Sequence, residues 1–193
     1  MSNNGVPQAE IARVQAEIDR RRAELTRLQA ELDNLQTELN KLKGGIYAAE
    51  VGDTFSFGPF DWRVLKKENG KALIITKDII EMRIFDSHRN FWERSELFRY
   101  LIGDFFSQTF NEDEDSKIDG FVFILSIEEA KALFKNDADR KATYNGAVTS
   151  WWLRSPGRYE NFVCTVDDDG SCCVLGGDIG RPGGVRPALW LKF

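Results

Sequence analysis

Histidine is almost missing from this chain: His88 is the one example in 193 residues. That scarcity removes Ser-His-Asp and Cys-His nucleophilic schemes unless His88 serves them. His88 sits in a polar loop, Asp86-Ser87-His88-Arg89-Asn90, which reads as surface. Cysteine is nearly as sparse. Cys164, Cys172 and Cys173 build no disulfide framework, and the neighbours Cys172 and Cys173 rarely bond each other, so a reducing compartment is expected. No apolar run approaches the ~20 residues of a membrane span, and Met1 to Gln8 lacks the apolar core of a secretory signal. An excess of positive charge is also missing, since the formal net charge is -5. Residues 1–43 hold seven Lys/Arg and seven Asp/Glu, so the whole acidic excess falls on the rest of the chain. Clusters such as Glu112-Asp113-Glu114-Asp115 and Asp167-Asp168-Asp169 would repel phosphate backbones, which argues against nucleic acid as a partner.

What is present divides into a stalk and a head. With Ile11 at heptad position a, the a series is Ile11, Ile18, Leu25, Leu32 and Leu39, and the d series is Val14, Arg21, Leu28, Leu35 and Leu42. Nine of these ten seam positions are apolar, which predicts a left-handed coiled coil over residues 10–43. A helix lying on its own domain would have a wider apolar stripe. Every g position is glutamate, and Glu17 can face Arg22, and Glu38 Lys43, of a neighbouring chain. Such a stalk would be roughly 50 Å long, ended by Gly44-Gly45. Leucine at both a and d leaves dimer and trimer open, with Arg21 at a d position a specificity device of unknown sense. Residues 1–9 are expected to be disordered.

Residues 46–150 read as mixed α+β. Phe60 to Leu65 and Ala72 to Ile75 are strand-like, and Asn69-Gly70 between them signals a hairpin. Ile79 to Ile84 predicts a further strand. Asn90 with Glu93 resembles a helix N-cap with its capping-box partner, ahead of Leu97, Phe98, Leu101, Phe105 and Phe106 at helical spacing. Ser126 with Glu129 forms a second such box, and Phe121 to Leu125 reads as a short apolar strand. Strands and helices do not alternate regularly enough for a parallel doubly wound sheet.

The last forty-odd residues carry the most information. Trp151-Trp152-Leu153 and Val185 to Leu191 are β-prone and apolar, with Pro156 and Pro187 at turns or strand edges. Arg154 and Arg186 sit inside these apolar motifs, which predicts that each reaches a carboxylate or backbone carbonyl within the frame. Between them lies a chemically mixed insert: Phe162 to Val166, a turn at Asp168-Asp169-Gly170, a returning strand from Ser171 to Leu175, then Gly176 to Gly184, a loop by composition.

The motifs WRVL (Trp62 to Leu65), the tryptophan-led helix at Trp92, WWLRSPG (Trp151 to Gly157) and GVRPALWL (Gly184 to Leu191) resemble a widespread bacterial and phage domain of uncharacterised function. The resemblance covers about residues 46–193. It implies a variant of the C-type lectin fold, similar to formylglycine-generating-enzyme-like domains. Members include variable proteins of diversity-generating retroelements, whose C-terminal stretch is hypermutated at adenines and displayed for ligand binding. Arg158, Tyr159, Asn161, Phe162, Cys164, Asp167, Asp168, Cys172, Cys173, Leu175, Asp178 and Arg181 all belong to the set an asparagine codon can become by such mutation. They are the candidate ligand-binding residues. Invariant frame, randomised insert: this is the implied layout, and vicinal cysteines without a partner suit it.

Rival chemistry finds weaker support. Adjacent cysteines would not present two thiolates in the manner of a formylglycine-generating oxidase. Asp167-Asp168-Asp169-Gly170 lacks the spaced oxygen ligands of a calcium loop, and the glycine run has no Lys-Ser/Thr after it to cradle phosphate. No cofactor, metal or catalytic residue is therefore assigned. The expected architecture is an α+β protein, an N-terminal coiled-coil helix followed by a C-type-lectin-like domain over residues 46–193. The expected function is non-enzymatic binding of a protein or cell-surface ligand by oligomerised heads. An invariant phage or cell-surface fibre subunit is the alternative, and an oxidase or hydrolase a third. The cytoplasm or a phage virion is the expected location. Removing residues 1–43 should convert an oligomer into monomeric heads in sedimentation, and a truncated chain that still sediments as an oligomer would refute the stalk.

Overall fold

The computed structural model describes residues 8–193, with the side chains at 37 and 40–43 left out. The expected disordered stretch over residues 1–9 thus falls mostly outside the described residues, while Gln8 and Ala9 belong to the first helix. The chain divides into two compact units, one ending at Ala48 and the other spanning Ala49–Phe193.

The first unit is helix α1, Gln8–Lys43, followed by a 3-10 turn, Gly45–Tyr47. Within the single chain, the seam residues Ile11, Val14, Ile18, Leu25, Leu28, Leu32, Leu35 and Leu39 are all exposed. Arg21, the odd member of the seam, lies between Glu17 and Glu24 of its own helix, with Nε 3.0 Å from the Glu17 carboxylate. Leu42 and Lys43 are among the side chains outside the description. Among the described residues, no helix is long and apolar enough to cross a membrane.

The second unit is α+β. Strands β1 (Thr54–Phe57), β2 (Phe60–Glu68) and β3 (Lys71–Thr76) form a meander. The β2–β3 turn is Asn69-Gly70, both residues at positive φ, as an Asn-Gly hairpin requires. Short strand β4 (Glu81–Arg83) leaves this sheet for the second one. A helical run follows: α2 (Glu96–Tyr100), a π turn at Leu101–Phe105, α3 (Phe106–Thr109) and α4 (Glu112–Asp115). Strand β5 (Ile118–Phe123), α5 (Ile127–Leu133), α6 (Asp137–Arg140) and the small hairpin β6 (Thr143–Tyr144) and β7 (Ala147–Val148) lead to the C-terminal strands. These are β8 (Trp151–Pro156), β9 (Phe162–Val166), β10 (Cys172–Asp178), β11 (Gly183–Val185) and β12 (Ala188–Lys192).

Two five-stranded sheets result, ordered β1-β2-β3-β12-β5 and β10-β9-β8-β11-β4. The main core joins them. Leu65, Leu73, Ile75 and Ala188 of the first sheet meet Trp151, Leu153, Cys164 and Val166 of the second, with Ile127, Ala130 and Phe134 of the α5 segment among them. An aromatic layer forms a second cluster, with Phe60 on Phe105, Phe57 on Phe110, and Trp62 beside Phe110. Both layers rest on a bulge in β2, where Leu65 is the extra residue between Val64 and Lys66, so Val64 and Leu65 are both buried.

Three sequence expectations change. Asn90 and Glu93 do not cap the helix: α2 starts at Glu96, and Ser95 is its N-cap, accepting from the Phe98 amide. The Ser126–Glu129 box, in contrast, is complete in both directions. Phe121 is not a core strand residue but is 67% exposed, because β5 carries three residues, Gly120 to Val122, opposite the single Leu189 of β12. Gly120 sits at φ 86, which lets the strand buckle outward there. Finally, the Gly176–Gly184 run is loop only at its middle, residues 179–182, and its two ends belong to β10 and β11. Two of its glycines lie against the Trp152 ring, where a Cβ on Gly183 would come within 2.3 Å of the indole and one on Gly177 within 2.7 Å. The run reads as a loop by composition, yet close approach to a tryptophan is what selects glycine here.

Arg186 closes the frame. It is 2% exposed, and its guanidinium donates to the Thr76 carbonyl at 2.9 Å, the Lys77 carbonyl at 2.9 Å and the Arg140 carbonyl at 3.1 Å. It also lies over the Trp151 and Phe134 rings. Burial, helped by the nearby Arg63 charge, pushes its pKa down to about 9, so the cation persists at neutral pH. Arg186→Ala should cost about 4 kcal/mol or more, from the Thr76 and Lys77 carbonyls losing their guanidinium donor, the Arg140 carbonyl left with the Trp151 indole alone, and a cavity, a large share of a typical domain's stability. Loss of the cooperative melting transition is the expected result, and a soluble, cooperatively melting variant would contradict it.

Candidate functional site

The insert folds as the β9–β10 hairpin at one edge of the second sheet, and this separates the candidate residues into three places. At the open end, residues 157–162 make a tight loop in which the Gly157 amide donates to the Phe162 carbonyl and the Phe162 amide to the Tyr159 carbonyl. Tyr159 is 57% exposed, packs edge-on against Phe162 and lies beneath the Arg158 guanidinium. Arg158 and Asn161 are exposed, and Phe162 is half-buried. Opposite, Asp178 pairs in register with Phe162, and its Oδ1 accepts from the Gly180 amide. The exposed Arg181 guanidinium lies 3.8 Å from the other Asp178 oxygen.

Leu175 belongs to the same end. Between Cys173 and Gly177 the strand carries Val174, Leu175 and Gly176 opposite the single Cys164, so Val174 and Leu175 are pushed outward, Leu175 to 50% exposure. Its carbonyl abuts Gly157, which brings the bulge beside the 157–162 loop. Arg158, Tyr159, Asn161, Leu175 and Arg181 therefore form one exposed rim, with Phe162 and Asp178 half-buried along it.

At the other end, the turn carries Asp167 and the exposed Asp168. The aspartates do not converge on a shared point. Asp167 accepts from the Thr165 hydroxyl at 2.8 Å and Asp169 from the Ser171 amide at 2.8 Å, as turn-forming carboxylates do. Arg140, itself buried, donates from Nε to the Gly170 carbonyl at 2.9 Å and pairs with Asp137, so α6 holds this turn in place.

The cysteines lie between the two ends. Cys164 is a correction to the candidate set: at 3% exposure it is a core residue, and its thiol donates to the Pro156 carbonyl. Small size suits it, because three residues of β8 and three of β10 face it across the bulges on either side. Cys172 and Cys173 are half-buried, and as successive strand residues they point to opposite faces. Burial pushes the Cys164 and Cys172 thiols above their ordinary pKa, which disfavours the thiolate that nucleophilic or metal chemistry needs.

The rim has a second contributor, absent from the candidate set. Buried Asn90 donates from its amide nitrogen to the Tyr159 carbonyl at 3.1 Å and to the Phe162 carbonyl at 2.9 Å. The Phe85 amide donates to Ile179, just past β10. Asp86 holds this supporting loop together, its two oxygens accepting from the amides of His88, Arg89 and Glu96. An aspartate two and three residues ahead of backbone donors is a sequence-level turn signal, so Asp86 was legible. The reach of Asn90 across 69 and 72 residues was not. Asp86, His88 and Glu96 also bring potential metal-ligand atoms within 4.8 Å of one another, but the amides that occupy Asp86 account for this cluster as a turn.

Comparison with known protein families gives a match over the C-terminal part of the chain. A family described as a domain of unknown function (DUF6273) matches residues 122–193, a stretch that opens within β5 and takes in both frame and rim. No curated protein and no solved structure matches the chain.

Asp86 supplies a pH test. Burial raises its pKa, but the three backbone amides outweigh burial and hold it below the ordinary 3.8. A depressed carboxylate contributes stability that is present above 3.8 and is lost as pH falls through the folded value. In acid, the protection factors of the His88, Arg89 and Glu96 amides, measured by hydrogen exchange against the intrinsic rate at each pH, should therefore fall. Asp86→Asn should flatten that acid dependence, and an unchanged pH profile in the variant would dismiss Asp86 as its source.

Proposed function

We propose that the chain is a non-enzymatic ligand-binding protein: a variable protein of the diversity-generating-retroelement type, with a C-type-lectin-like head oligomerised by a coiled coil. The contrast in burial along the C-terminal segment carries this reading. Trp151, Trp152, Leu153, Val185, Arg186, Ala188, Leu189 and Leu191 are buried, while Arg158, Tyr159, Asn161, Asp168, Leu175 and Arg181 between them are exposed. A stiff frame carrying an exposed, chemically mixed rim suits display. Tyrosine, arginine and small polar residues on a rigid support also form antibody paratopes, so a protein or cell-surface ligand is the expected target.

The uncovered apolar seam of α1 supports oligomerisation through residues 10–43, as dimer or trimer. Several heads on one stalk gain avidity by effective concentration, without any new contact. An oxidase or hydrolase is disfavoured because burial raises the pKa of the Cys164 and Cys172 thiols and the one histidine is exposed on a turn-forming loop. The deciding experiment is sequencing of the DNA that flanks the coding region. A near-identical template repeat beside a reverse transcriptase is expected, differing at adenines in codons for rim residues such as Tyr159, Leu175 and Arg181. Sibling copies with an unvarying 158–183 stretch and no such repeat would overturn the variable-protein reading in favour of an invariant fibre head.

A further inference from the structure

The rim leaves unexplained a second concavity of about 440 Å³, at the outer edge of the first sheet. Its walls are aromatic: Trp92, Phe98, Phe121, Phe123 and Trp190. Four charged side chains also line it, the carboxylates of Glu93, Asp119 and Glu129 and the guanidinium of Arg154. Three anions against one cation leave the lining acidic. Arg154 is already engaged, donating from two nitrogens to the Glu129 carboxylate at 2.6 and 2.7 Å and to the Ile124 carbonyl, with its guanidinium 5.2 Å from the centre of the Phe123 ring. Asp119 is met by Lys71, which lies outside the lining. Glu93 is exposed and has no ion-pair partner among the described residues.

We infer that this cleft receives a basic side chain, lysine or arginine, presented by a partner protein. Aromatic faces attract a cation through their quadrupole, and an adjacent carboxylate adds a direct charge. The floor already holds one cation on a ring in Arg154 over Phe123, so the wall chemistry accommodates a guanidinium or ammonium group. A purely apolar ligand would leave the acidic rim unanswered, and an anion would meet its charge. Presentation by a protein follows from position. β5 is the outermost strand of its sheet, and its bulge at Gly120-Phe121 stands exposed at the mouth. An extended segment running along that edge can drop one side chain into the cleft. Phe121, 67% exposed, then has a role that the core does not give it.

The test uses the full-length protein, titrated with a capped Ala-Ala-Lys-Ala-Ala peptide and with its counterpart carrying norleucine in place of lysine. The tryptophan indole N–H resonances provide the readout. Trp92 and Trp190 line the cleft, whereas Trp62, Trp151 and Trp152 lie elsewhere and serve as internal references. The lysine peptide should shift Trp92 and Trp190 saturably and leave the reference signals in place, and added salt should weaken it. Phe121→Ala and Glu93→Gln change exposed residues, so both should fold, and each should lower the affinity about two- to five-fold. Equal shifts from the norleucine peptide, shifts that survive both variants unchanged, or no shift at all would each overturn the assignment. None of these outcomes depends on what the rim binds.

Discussion

A guanidinium brought into a closed interior gives up its water, and only a full set of acceptors makes that tolerable. Arg186 has such a set, divided between two structural neighbours. Thr76 ends β3 of the first sheet and Lys77 follows it, while Arg140 ends α6. The same Arg140 carbonyl also accepts the indole N–H of Trp151, in the second sheet. One side chain therefore fixes the two sheets and the intervening helices in a single arrangement. The polar chain continues outward, since Arg140 itself reaches the Gly170 carbonyl at the hairpin turn. Arg154 works in the same way nearer the surface, tying β8 to the capping-box glutamate of α5. Carbonyl acceptors, unlike a buried carboxylate, are positioned by the backbone and cannot swing away. That is why an arginine can sit within a run as apolar as Val185 to Leu191.

Around this anchor, side-chain identity matters very unevenly. Trp152 fits only over residues without a Cβ, so Gly177 and Gly183 are bound to it by shape. Its indole N–H is also committed, donating to the Arg83 carbonyl at 2.9 Å and so holding β4 to the sheet. A few residues away, Tyr159 and Leu175 touch mainly one another's loops and solvent. The rim is held instead by backbone groups, which Asn90 reaches through the carbonyls of Tyr159 and Phe162. A carbonyl is present whatever side chain its residue carries. Support of this kind survives substitution of the residues it supports, which is the physical requirement for a variable surface.

How much of this was legible in the sequence depends on the range of the interaction concerned. The α1 helix, the Asn-Gly hairpin and the Ser126–Glu129 box are determined within a few residues, and each was read directly. The anchoring roles of Arg154 and Arg186 were also legible, because a charge inside an apolar motif has to find an acceptor. What escaped was decided across the fold. Asn90 near a glutamate matched a capping pattern, yet its amide is drawn to a loop some seventy residues away. The glycine run matched a loop, yet its ends are strand, and a tryptophan ring selected Gly177 and Gly183 there. Cys164 matched the rim's chemistry, yet its strand is covered on both sides.

The bulges connect these observations. Three times, three residues stand opposite one: Leu153 to Ser155 and Val174 to Gly176, both facing Cys164, and Gly120 to Val122 facing Leu189. In each case the ladder resumes beyond the irregularity, so the flanking strand pairs are kept on both sides of it. A bulge thus places side chains outside the sheet while their flanks remain fixed. Val174 and Leu175 reach the rim in this way, and Phe121 reaches the mouth of the aromatic cleft. Both candidate contact surfaces are built by the same device, on opposite sheets, with the buried arginine and tryptophans keeping those sheets in register behind them.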